Sequence, residues 1–231
     1  MTEVLELRQY TLHPGRRDDL VELFDREFVE PQEAVGAQVL GQFRDLDDQD
    51  RFVWLRGYSD MDTRGRALPA FYGGPVWRAH SAAANDTMID SDDVLLLRPE
   101  KDLDLTGRTR GGPTTLVTVT IYHLPPGGED AFVDVFRTDA VPLLTDTGAE
   151  PLAILRTLRA ENNFPALPVR ENENVVVWIA SFAGRDELVE HVHLLGREGR
   201  WTHGVLPDLT KRLAQPPEQL QLAPTARSLL R

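Results

Sequence analysis

Two hydrophobic periods alternate along the chain. Leu5 and Leu7 alternate with Glu6 and Arg8 on the way to Leu12, a strand pattern closed by the Pro14-Gly15 turn. Leu20, Leu23, Phe24 and Phe28 then recur at helical spacing, and Pro31 and Gly36 end that helix. Residues 38–44 and 52–58 are β-rich runs on either side of the polar turn 45–50, which predicts a hairpin. A second helical region covers residues 61–88. Gly73-Gly74 breaks it, and Pro75 opens its second part. Within that part Trp77, His80, Ala84 and Met88 are spaced three, four and four, so one face carries all four and should look inward. Val94 to Leu97 supplies a last strand before Pro99. The predicted order is β-α-β-β-α-β, a ferredoxin-like unit.

The chain then writes this pattern again. Tyr10-Thr11-Leu12-His13-Pro14-Gly15 returns as Tyr122-His123-Leu124-Pro125-Pro126-Gly127, and Phe24/Phe136 and Gly36/Gly148 keep the same offset of 112. Trp54/Trp178 and Trp77/Trp201 are offset by 124, and Pro99/Pro224 by 125. The added residues fall between Gly148 and Trp178, most naturally in the Pro-broken loop 161–168. The expected division is a first unit at 1–106, a linker at 107–114 and a second unit at 115–231, with 224–231 as a short tail. A ferredoxin-like unit leaves one sheet face bare, and two units packed sheet to sheet cover both. The expected fold class is therefore α+β: two tandem ferredoxin-like units closed into an intrachain α/β barrel.

Composition narrows the function classes. Apolar residues make up 41% and charged residues 27%, as in a soluble globular protein. The net charge of −12 repels phosphate backbones and argues against nucleic acid. Cysteine is absent, which excludes thiolate metal sites and a cysteine nucleophile and is consistent with a cytoplasmic location. The densest apolar run, 175–180, is too short to span a bilayer, and Thr2 to Glu6 does not read as a leader. No GxSxG pattern supports a serine triad, and the linker glycines do not form a phosphate loop.

Comparing the copies singles out one set of residues. Strand alternation puts Glu6, Arg8 and Tyr10 on one face, where the second copy has Thr118, Thr120 and Tyr122. Trp54, Arg56 and Tyr58 correspond to Trp178, Ala180 and Phe182, and His80 corresponds to Gly204. The aromatic scaffold is shared, whereas Glu6, Arg8, Arg56 and His80 belong to the first copy alone. In the functional reading, Arg8 and Arg56 bind a carboxylate, enolate or phenolate, and His80 transfers a proton. Tyr10 or Tyr72 then donates a hydrogen bond, and Glu6, Trp54 and Trp77 complete the pocket. In the plainer reading Glu6 and Arg8 pair on a half-exposed sheet face, Arg56 stacks on an aromatic ring, and His80 is a core histidine. Glu187/His191 and Glu190/His193 sit at helical spacing without a third ligand, so they read as a solvated face and no metal is assigned.

The first copy also resembles the NIPSNAP family. The residues that carry the likeness are Leu7-Arg8-Gln9-Tyr10-Thr11-Leu12 with Pro14-Gly15, Gly41-Gln42-Phe43, Phe52-Val53-Trp54-Leu55-Arg56, and the run Phe71 to His80. The second copy is similar but keeps mainly Tyr122, Trp178 and Trp201. The resemblance implies the dimeric α/β-barrel superfamily. Its members include cofactor-free quinone-forming monooxygenases, haem-degrading enzymes, dehydratases, isomerases, cyclases and members without known activity. The resulting expectation is a cofactor-independent enzyme that oxygenates, isomerises or cyclises an aromatic or polyketide-like small molecule. The alternative is a non-catalytic module that binds a metabolite or a protein, and a haem site at His80 is a third reading. Partners are a small-molecule ligand with neither nucleic acid nor membrane, and the chain is a monomer with an internal pseudo-dimer or a homodimer.

Overall fold

A computed structural model describes every residue except Met1, Asp102, Thr106, Pro113 and Thr114. Pro113 and Thr114 of the expected linker, and Thr106 at the expected end of the first unit, thus lie outside the described residues. The first unit runs β1 (Val4–Leu12), α1 (Arg17–Glu27), α2 (Val29–Ala34), β2 (Gln38–Asp45), β3 (Arg51–Tyr58), α3 (Met61–Tyr72), α4 (Pro75–Asn85) and β4 (Met88–Pro99). The second runs β5 (Leu116–His123), α5 (Glu129–Val135), α6 (Val141–Asp146), β6 (Glu150–Thr157), β7 (Val175–Phe182), α7 (Arg185–Arg197), α8 (Leu206–Lys211) and β8 (Glu218–Pro224). Wide π-helical turns at Phe136–Ala140 and Trp201–Val205 join α5 to α6 and lead into α8. The repeated glycines have a physical cause. Gly15/Gly127 and Gly36/Gly148 all adopt positive φ, where a Cβ is strained, so both copies keep glycine at the same two turns.

The eight strands close into one barrel in the order β1-β3-β2-β8-β5-β7-β6-β4. Each unit contributes an antiparallel sheet of four strands. Two short seams join the units: Phe43, Arg44 and Asp45 against Pro224, Ala223 and Leu222, and Leu97, Arg98 and Pro99 against Thr157, Arg156 and Leu155. Closure removes the open sheet edges. The fold is the intrachain α/β barrel that the patterning predicts.

Alternation divides each strand between two environments. Leu5, Leu7, Val53 and Leu55 join Val117, Val119, Val177 and Ile179 inside the barrel. Glu6, Arg8, Tyr10, Trp54 and Arg56 sit on the opposite, outer face and are covered by the helices. The first-unit cover is aromatic: Phe24 meets Trp54 edge-on at 4.8 Å between ring centroids, and Phe28 meets Phe71 at 5.8 Å.

Four expectations need correction. Met88 begins β4 rather than ending α4, because the chain turns at Asp86 and Thr87. Of the face proposed for α4 only Ala84 is buried; Trp77 and His80 are half-buried, since α4 packs at the edge of the helical layer. The tail is part of the core. Leu229 and Leu230 both donate backbone hydrogen bonds to the Leu40 carbonyl, and the Leu230 side chain is sealed into the barrel interior. His191 does not lie on a solvated face: it packs on Phe182 at 5.1 Å and pairs through Nδ1 with the Thr147 hydroxyl at 2.9 Å.

Candidate functional site

Three arginines share one carboxylate beneath the first-unit helices. Glu6 Oε2 accepts from Arg56 Nε at 2.7 Å and from Arg8 Nη1 at 2.9 Å, and Glu6 Oε1 accepts from Arg64 Nε at 2.7 Å. All four residues are 0% exposed. Glu6, Arg8 and Arg56 arrive on adjacent antiparallel strands, with Glu6 directly opposite Arg56. Arg64 comes from α3, where it occupies the inward face with Ala67, Leu68 and Phe71. Among the described residues no second carboxylate pairs with these guanidinia, so the cluster buries an excess of two positive charges.

The remaining contacts orient the cluster. Arg8 Nε donates to the Tyr10 hydroxyl at 3.0 Å. Arg56 Nη1 donates to Gln32 Oε1 at 3.0 Å and to the Tyr72 hydroxyl at 3.4 Å. Gln32 in turn donates to the Phe28 carbonyl at 3.0 Å, which turns its oxygen toward the arginine. The Arg56 guanidinium lies 4.9 Å from the centre of the Trp54 ring, and that of Arg8 lies 5.6 Å away, so the indole carries a cation on either side of its strand position. Even so, the Nη2 atoms of Arg56 and Arg64, the Tyr58 hydroxyl and the Trp54 Nε1 are buried without a hydrogen-bond partner. Four donors at one centre without acceptors amount to a costly desolvation.

The electrostatics follow from this crowding. Burial disfavours a charged Glu6, but Arg56, Arg8 and Arg64 together outweigh it and hold the carboxyl far below the usual carboxylate range. Burial pushes the Tyr58 hydroxyl well above its ordinary value despite the neighbouring Arg56, so it stays a neutral donor. Burial likewise raises Tyr10, against the pull of Arg8.

A loop from the other unit covers the cluster. Arg64 Nη1 donates to Asn162 Oδ1 at 3.1 Å and to Asn163 Oδ1 at 2.6 Å, and Asn163 anchors itself on the Met61 carbonyl at 2.6 Å. Phe164 lies parallel to Tyr72 at 6.1 Å. These are the residues by which the second copy exceeds the first.

The structure thus brings together Glu6, Arg8, Arg56, Tyr10, Trp54 and Tyr72. Trp77 meets Tyr72 at 4.8 Å and forms the outer edge of the aromatic layer. His80 stands apart: its side chain is 33% exposed, its Nε2 is 3.6 Å from Glu27, and its ring meets Phe28 at 6.4 Å. Contacts from His80 to Arg56 run through the rings of Phe28, Trp77 and Tyr72. Sequence reasoning missed Arg64 and Gln32, and it placed Tyr58 beside Arg56 without giving it a role. For Arg64 a signal existed, because it is a charged residue on the stripe set by Ala67, Leu68 and Phe71.

Residues 5–103, which hold the whole ionic cluster, match the NIPSNAP family model. This stretch is thus similar to NIPSNAP domains. The match ends before the second unit, which shares the topology and the aromatic anchors. Over nearly the full chain the fold is similar to that of an anthrone oxidase-like protein, with TM-score 0.67, 11% identity, and coverage of 97% of this chain and 92% of that one. Two proteins provisionally named monooxygenases are similar as well. For the one from Fusobacterium nucleatum subsp. nucleatum ATCC 25586 the TM-score is 0.65 at 11% identity, covering 96% and 92% of the two chains. For the one from Lactobacillus acidophilus NCFM it is 0.62 at 11% identity, covering 97% and 94%. At such identities the likeness is one of fold. No curated protein matches the chain in sequence. Among the described residues, no helix is long and apolar enough to cross a membrane.

Proposed function

We propose that the first, NIPSNAP-like unit binds the anion of a small aromatic or polyketide-like acid or enol. In this reading the protein is a cofactor-independent enzyme that oxygenates, isomerises or cyclises it. The observation that carries the proposal is the cluster's unbalanced charge: three buried guanidinia, one carboxylate and two Nη2 groups without acceptors. An enolate or phenolate oxygen accepts from Arg56 and Arg64, and the Tyr58 hydroxyl adds a third donor. Arginine suits this task because it stays charged and offers a rigid fork of donors. Donors already oriented around the developing oxyanion lower the cost of forming it.

Arg8 is a positioning residue, holding Glu6 and Tyr10. Trp54, Tyr72 and Trp77 form the aromatic wall, and the 162–164 loop is the cover that a ligand displaces on entry. His80, beside Glu27 at the rim, exchanges protons with water, and the Tyr72 hydroxyl accepts from Arg56. Isomerisation and cyclisation then need proton transfer only, and dioxygen from solution is the co-substrate of an oxygenation. The names of the three neighbours agree with that class.

Full burial of the guanidinia favours a second reading, a module that holds a metabolite or a partner without turnover. An oxygen electrode with dithranol, an anthrone whose spontaneous oxidation is subtracted with an enzyme-free control, together with calorimetry of salicylate binding, separates the two. The enzyme reading expects dioxygen uptake that Arg56→Gln lowers by about a hundredfold in kcat/KM. Salicylate binding without turnover of any anthrone or enol selects the module. If no organic anion binds to the folded protein, the enzyme and the metabolite-binding module both fail.

A further inference from the structure

The second unit has an open cavity where the first has its ionic cluster. At the repeat offsets Thr118 and Thr120 stand in the places of Glu6 and Arg8, Ala180 in that of Arg56, and Leu188 in that of Arg64. Every charged member of the cluster is replaced by a smaller or uncharged side chain. A cavity of about 350 Å³ results, lined by Thr118, Thr120, Tyr122, Trp178, His191 and Trp201 among others. That volume is at the lower end of the roughly 300–1,000 Å³ common for small-molecule sites. Thr118, Thr120 and Tyr122 are half-exposed, whereas Glu6, Arg8 and Tyr10 are buried, so this side of the repeat is open and the other is closed.

We infer that the second unit binds a neutral, hydroxylated aromatic molecule of one or two rings in this cavity. The walls are aromatic, with Trp178, Trp201, Tyr122 and Phe182 offering ring faces and edges. Thr118, Thr120, Gln219 and Gln221 offer hydroxyl and amide groups to a ligand hydroxyl. The lining holds no arginine or lysine, and exposed Asp47 stands at the mouth, so an organic anion is disfavoured on both counts. Buried His191 adds no positive charge: burial lowers its pKa, with the Thr147 hydrogen bond offsetting only part of the effect. A separate observation marks the same wall. Trp201 begins a π-helical turn, whereas its counterpart Trp77 lies in regular α4. Such wide turns recur at functional sites, where they redirect side chains. If the first unit binds an anion as proposed above, the two halves take ligands of different charge, one anionic and one neutral, on one barrel.

Calorimetry with 2-naphthol, uncharged at pH 7, tests this on the intact chain. Wild type should bind one equivalent saturably. Thr120→Met fills the floor of the cavity and should weaken binding about tenfold or more. An equal concentration of 2-naphthoate should fail to displace 2-naphthol from wild type, a test that does not depend on how the variant folds. Three results overturn the inference: no saturation by about 1 mM, an unchanged affinity in a folded Thr120→Met, or displacement by the naphthoate.

Discussion

Glu6→Gln is the sharpest perturbation of the ionic cluster. Glutamine preserves the length of the side chain and one acceptor oxygen, but removes the one negative charge among the described residues that pairs with Arg8, Arg56 and Arg64, at 2.9, 2.7 and 2.7 Å. Removing one partner of a buried ion pair costs about 3–5 kcal/mol, because the surviving charge stays desolvated. Here three cations are left behind, so the full range applies, against a total stability of about 5–15 kcal/mol for a typical domain. At about 2–4 °C per kcal/mol for a chain of this size, the melting temperature should fall by roughly 6–20 °C. Urea unfolding at pH 7, followed by tryptophan fluorescence and far-UV circular dichroism, measures the difference directly. Its pH dependence has a fixed sign. The folded-state pKa of Glu6 is depressed, so its contribution is complete above the ordinary glutamate value of about 4.3 and fades as the pH falls below it. The gap between wild type and Glu6→Gln should therefore be constant near neutrality and narrow in acid. A loss below about 1 kcal/mol at pH 7 would refute the claim that this carboxylate is the cluster's essential counter-charge.

Two further predictions concern the tail and the second unit. Leu230→Ala removes a side chain that is 1% exposed in the barrel core, so it should cost about 2–5 kcal/mol in urea unfolding; a surface-like effect would show that the tail is not part of the core. Burial depresses the His191 pKa below its unfolded value, so wild type should lose stability as the pH falls through about 6.5, where the unfolded chain takes up the proton first. His191→Gln should flatten that slope, and parallel pH profiles for the two proteins would contradict it.

Much of this architecture was legible in the amino-acid order alone. The duplication shows because aromatic anchors and left-handed glycines recur at offsets of 112 and 124, each kept by a local requirement of packing or backbone conformation. Strand alternation placed Glu6, Arg8 and Tyr10 on one face, since that period is a property of extended backbone. His80 was harder to place for a geometric reason. At about 100° per residue it lies roughly 40° around the helix from Ala84, and how far burial extends from that line depends on what α4 packs against.

The chain by itself therefore determined two copies of one unit, which copy holds the charges, and which strand positions point together. Tertiary structure alone decided that Arg64 joins Glu6, that a loop of one unit seals the cluster of the other, and that the equivalent place in the second unit stands open. Periodicity is written by neighbours a few residues apart. These contacts join Glu6 to Arg64 and Arg64 to Asn163, and only the closure of the barrel sets such distances.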